Sequence, residues 1–130
     1  MGELKHYNPK EMLSHFQEFK YSAAVAHGDL LFCSGVIGLL PDGTIPADPE
    51  TQFTRAFELL GQVLAEAGAG WGDIIELLTL HFELTKHAPT FMKVRDRYLK
   101  APYPAWTATS VAEVAGGALV EIKVTCRLPR

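Results

Sequence analysis

The stretch from Ala118 to Leu128, "ALVEIKVTCRL", decides the fold. Val120, Ile122, Val124, Cys126 and Leu128 alternate with Leu119, Glu121, Lys123, Thr125 and Arg127. A period of two places the first set on one face of a β-strand and the second on the other. The first face needs a cover; the second is mixed and polar. Just upstream, "AWTATSVAEV" (105–114) reads as another strand, with Gly116-Gly117 supplying the turn between them.

Working outward, "YSAAVAHGDLLFCSGVIGL" from Tyr21 reads as two short strands joined by a turn at His27, Gly28 and Asp29. "PDGTIPADPE" is a loop, since three prolines and a glycine forbid regular structure. Asp48-Pro49 then predicts a helix start, with Asp as N-cap and Pro in the first helical position. Phe53, Phe57, Leu60 and Leu64 share one face of that helix, and Gly68 and Gly70 end it. "WGDIIELLTLHFEL" predicts a strand. Pro89 predicts the start of a second helix, with Phe91, Val94, Tyr98 and Leu99 facing inward and Pro102 beyond its end. The order ββαβαββ argues an α+β fold, a single sheet with two helices on one face. Its open face invites oligomerisation.

The 130 residues imply one domain over 1–130, with residues 1–20 as an N-terminal extension whose aromatics argue against disorder. A formal charge of −3 offers no bulk attraction for nucleic acid, so no nucleic-acid partner is expected. No apolar run has the length of a membrane span, and "MGELKHYNPKEM" lacks a signal peptide's apolar core, which predicts a cytoplasmic protein without membrane association. His6 stands where a myristoylation motif after Gly2 requires Ser or Thr. Cys33 and Cys126 fall in apolar runs and read as buried thiols. His81 and Glu83 share a strand face, but two ligands do not make a metal site, and His27 and His87 are isolated; neither metal nor cofactor is expected. "CSGVI" lacks the pattern of a nucleophile elbow.

Three stretches together resemble one known family. "YSAAVAHGDLLFCSGVIGLLPDGTIPAD" is similar to the start of the RidA/YjgF family of enamine and imine deaminases. "QFTRAFELLGQVLAEAGAGWGDIIELLT" resembles its first helix and following strand, and "YPAWTATSVAEVAGGALVEIKVTCR" its C-terminal signature. The resemblance runs from about Tyr21 to Arg127. It implies a chorismate-mutase-like homotrimer with a ligand cleft at each subunit interface. It also implies a small-molecule imine or enamine substrate, hydrolysed to a carbonyl compound and ammonia. Position by position, Tyr21, Ser34 and Gly35 match the residues that shape the family's pocket, and Glu121 matches the acid that holds the attacking water.

Two positions depart. The carboxylate-clamping Arg is here Trp106, in the "PYPxWTA" form of a subgroup, and a cleft Asn corresponds to Arg95. Trp has one N–H and a π-face where Arg has a planar fork of five donors, so a bidentate clamp is lost. That forfeits about 2–4 kcal/mol of anchoring. The substrate therefore differs from 2-aminoacrylate, or its charge is held elsewhere. Arg95 either replaces the missing cation in the cleft or lies on the surface beside Asp96. Trp106 either packs against a core or interface or forms an aromatic wall of the site. Two other readings stand beside the deaminase. One is a non-catalytic binding or regulatory trimer. The other is an endoribonuclease-like activity, which the acidic net charge does not support.

Overall fold

The computed structural model describes residues 2–129. Along the chain it forms β1 (Leu4–Tyr7), α1 (Leu13–Phe19), β2 (Ala24–His27), β3 (Leu30–Cys33), α2 (Pro49–Glu66), β4 (Ile74–His81), α3 (Leu84–Arg95), β5 (Ala105–Ser110) and β6 (Val120–Arg127). The six strands make one sheet in the order β1-β2-β3-β6-β4-β5. Only β4 and β5 run parallel, because α3 carries the chain back between them; every other pair is antiparallel. The class is α+β, as the sequence predicts.

The alternation in the last strand does what it requires. Val120, Ile122, Val124 and Cys126 are buried under the helices, while Glu121, Lys123, Thr125 and Arg127 stand on the open face. α2 supplies most of the cover with Phe53, Phe57, Leu60 and Leu64, all buried. Its start is fixed chemically: the Asp48 carboxylate accepts from the Thr51 amide at 3.0 Å and from the Thr51 hydroxyl at 2.9 Å. Cys33 and Cys126 are free, buried thiols on the neighbouring strands β3 and β6.

Two local expectations are corrected. α3 begins at Leu84, so Pro89 lies inside it rather than at its start. The chain leaves β4 through Glu83, held at φ +53°, and the Glu83 carbonyl accepts from Lys86 and His87 to begin the helix. Tyr98 and Leu99 follow the helix end at Arg95 rather than forming part of its face. They pack inward all the same: Leu99 is buried, and Tyr98 stacks on Phe57 with ring centroids 4.9 Å apart.

The first residues also enter the fold. β1 pairs with β2 from Leu4↔His27 to Tyr7↔Ala24, and Met12 and Phe16 join the buried core. The Glu11 carboxylate meets the guanidinium of buried Arg55 at 3.0 Å, tying this segment to α2.

Candidate active site

Glu121 sits on β6 opposite Leu80 of β4, on the sheet's open face. Its carboxyl group lies against the backbone where β3 ends. A Cβ built on Gly35 would come within 2.7 Å of the Glu121 carboxyl carbon. Any side chain at position 35 would push that carboxylate aside, which is the close-approach reason for glycine. On either side the backbone is pinned: Ser34 N donates to the Ala23 carbonyl at 2.9 Å, and Val36 N donates to the Ile122 carbonyl at 2.8 Å. The Ser34 hydroxyl donates to the Ser22 carbonyl at 2.7 Å, so it retains only acceptor capacity toward a ligand.

Tyr21, Ser34, Gly35 and Glu121 together line one cavity of about 770 Å³. That falls within the usual range for small-molecule sites. Burial raises the Tyr21 hydroxyl above its ordinary pKa, and the nearby Glu121 charge adds to the effect, so Tyr21 is a hydrogen-bond donor at neutral pH. The far wall was not legible as a site in the sequence. It is α1, which contributes His15, Phe16 and Phe19. The signal was available in the helical spacing of Met12, Phe16 and Phe19 within "MLSHFQEF".

The two departing residues form a separate cluster, outside this cavity within one chain. Register Leu77↔Trp106 puts Trp106 on the helix-covered side of edge strand β5. Its indole N–H donates to Thr79 Oγ1 at 2.9 Å, and that hydroxyl lies 2.7 Å from His81 Nε2. The Thr79 hydroxyl thus accepts from Trp106 and joins it to His81 in one buried chain of polar groups. Burial lowers the His81 pKa, with a smaller contribution from His87. Glu83 does not share this face; it stands beyond the strand end and faces Lys86 at 3.8 Å.

Arg95, the last residue of α3, is buried with its guanidinium carbon 5.0 Å from the Trp106 ring centre and 5.2 Å from that of Tyr103. Arg95 is not the surface residue of one expectation, and it does not line this chain's cavity either. Arg95 meets Asp96 through Nη1 at 3.3 Å, yet its side chain is only 7% exposed, and Nε has no partner among the described residues. The Arg95 guanidinium thus lies over the Trp106 ring.

One mixed α+β sheet with helices packed on one face is the fold of the RidA/YjgF structures. The profile described as Endoribonuclease L-PSP matches residues 14–128, and the chain belongs to that family. The RutC family protein YjgH of Escherichia coli (strain K12) is 41% identical over 115 residues, which cover 88% of this chain and 87% of that protein. The solved structure of protein YjgH aligns with a TM-score of 0.93 at 38% identity, covering 98% of each chain. A Dermatophagoides farinae protein named 2-iminobutanoate/2-iminopropanoate deaminase is 26% identical over 105 residues, covering 79% of this chain and 81% of its own. The crystal structure of E. coli TdcF with bound serine aligns at a TM-score of 0.76 and 29% identity, over 84% of this chain and 88% of that one. Family members thus carry names as reactive-intermediate deaminases and as endoribonucleases. Among the described residues no helix is long and apolar enough to cross a membrane.

Proposed function

We propose that the protein is a homotrimeric hydrolase that deaminates a reactive imine or enamine larger than 2-aminoacrylate. The observation that carries this reading is the Glu121 carboxylate seated on Gly35 inside a cavity that Tyr21 and Ser34 also line. A carboxylate that lies against the Gly35 backbone faces the cavity, where it would position water between itself and a bound imine carbon. Glu121 takes the proton of that water, the new C–O bond gives a carbinolamine, and loss of ammonia leaves the carbonyl compound. Imines hydrolyse readily, so orientation and proton management suffice.

The substrate's charge requires a second element. The cavity lining includes Glu18, Asp42 and Glu121 but no Lys or Arg, a poor surface for an RNA backbone and an incomplete one for an anionic imine. We assign the missing cation to Arg95 of a neighbouring subunit. Its buried guanidinium, with Nε unpartnered among the described residues, is suited to a group arriving from outside its own chain. Leu30 and Phe32 stand exposed on the open sheet face, where such a neighbour would pack.

The test is hydrolysis of 2-iminopropionate and of a bulkier imine by the purified protein, with Glu121→Ala as control. Faster loss of the bulkier imine, abolished in the variant, is the expected result. Rates no greater than those of the variant on both substrates would overturn the enzymatic reading and leave a binding module.

A further inference from the structure

The wall contributed by α1 carries an ionisable group that neither the resemblance nor the mechanism above uses. His15 Nε2 lies 2.9 Å from the Tyr21 hydroxyl oxygen. Its ring also packs edge-on against Tyr21 at 5.7 Å and against Phe16 at 5.5 Å, so the imidazole is held rather than merely near. Phe16 in turn meets Tyr21 edge-on at 5.0 Å. His15 and Tyr21 line the same cavity as Glu121, on the wall formed by α1 and the segment that follows it before β2.

We propose that His15 supplies a proton to the substrate nitrogen through the Tyr21 hydroxyl. This inference rests on the deaminase reading and adds a positioning residue to it. When the imidazolium Nε2–H donates to the Tyr21 oxygen, the tyrosine's own O–H is free to point into the cavity. The Nε2 proton moves to the Tyr21 oxygen as the Tyr21 proton moves to the imine nitrogen. Tyr21 is unchanged, His15 becomes neutral and the substrate becomes an iminium. Water then adds to its carbon, giving one proton to Glu121, and the C=N π pair moves to nitrogen. Glu121 returns that proton to nitrogen, the C–N bond breaks and ammonia leaves with the electron pair. The remaining hydroxyl proton passes to Glu121 and then to solvent, from which His15 is reprotonated. The sum is imine plus water giving carbonyl plus ammonia, with no redox change. The division of labour is between an acid on one wall and a base on the other.

The other ionisable groups on the cavity are Glu18 on α1, Asp42 on the loop after β3, and Glu121 itself; outside the lining, Glu11 on the turn before α1 pairs with Arg55 of α2. None of these is an imidazole, so a pH dependence of the rate that His15→Gln removes reports His15.

The experiment compares parent, His15→Gln and Tyr21→Phe on the imine that the parent turns over, across pH. Gln keeps a hydrogen bond to Tyr21 but cannot titrate. The expected result for His15→Gln is a fall in kcat of roughly 10-fold or more at nearly constant KM. Any decline in the parent's kcat with rising pH should flatten in that variant. Added imidazole should restore rate to His15→Ala, and the Tyr21→Phe, His15→Gln double variant should be no slower than Tyr21→Phe alone. Parental kcat and an unchanged pH profile in His15→Gln would overturn the relay while leaving the deaminase reading intact. Absence of Glu121-dependent turnover in the parent would overturn both.

Discussion

At the scale of single residues, the pairing of Gly35 with Glu121 separates function from stability. A methyl group at position 35 meets the Glu121 carboxyl carbon and Cγ at 2.7 Å, the far part of a flexible side chain rather than backbone. The side chain can swing away, so the fold should tolerate Gly35→Ala with a loss of about 1 kcal/mol, the ordinary cost of a substitution. Activity should not survive, because the displaced carboxylate no longer faces the pocket. Urea denaturation and imine hydrolysis on the same sample check this. Near-parental stability with a rate close to that of Glu121→Ala is expected; a fully active Gly35→Ala would mean that the carboxylate does not work from this position. Glycine's role here was not legible from "CSGVI" alone, since nothing local shows that a residue far along the chain will lie on it.

Among elements, what the sequence revealed and what it hid have separate physical reasons. Alternation in β6 and the Asp48-Pro49 start of α2 were legible, because periodicity and capping act within a few residues. The start of α3 was hidden. Its first turn is entered from Glu83 at positive φ, a conformation usually marked by Gly or Asn, and Pro89 in the second turn imitates a helix start. Of the site, Tyr21, Ser34, Gly35 and Glu121 were legible through the resemblance, whereas His15 belongs to a segment outside it. The Trp106–Thr79–His81 chain was hidden too, as it depends on the register between β4 and β5. That chain makes a prediction of its own. Burial lowers the folded pKa of His81 below the ordinary value of 6.5. A group whose folded pKa is lowered contributes stability that is fully present above the unfolded value and is lost as pH falls through the folded one. Parent protein should therefore lose stability between neutral pH and about pH 5 more steeply than His81→Gln, by urea midpoints at each pH. Parallel curves would show that His81 does not titrate with unfolding.

For the whole molecule, the residues that the resemblance marks fall into two clusters, which the proposed trimer would bring together. Tyr21, Ser34, Gly35 and Glu121 share a cavity, whereas Arg95 and Trp106 lie beyond β4 on the other side of the sheet. If one subunit's Arg95 completes its neighbour's cavity, each site in a cyclic trimer draws Glu121 and Arg95 from different chains. Glu121→Ala and Arg95→Ala trimers should each be impaired, the first without its base and the second without its anchor. Mixing them and allowing subunits to exchange should restore activity, because some interfaces then join an intact Glu121 to an intact Arg95. Random exchange at equal amounts places such a pair at about a quarter of the interfaces in a head-to-tail ring. Recovery toward that fraction, timed with the appearance of mixed trimers by native mass spectrometry, is the expected outcome. A site contained in one chain recovers nothing on mixing, since every chain then carries one of the two defects. The mixing experiment thus locates Arg95 relative to Glu121 without a bound ligand, and the activity of Arg95→Ala alone against an uncharged imine shows whether the cation acts on the substrate's charge.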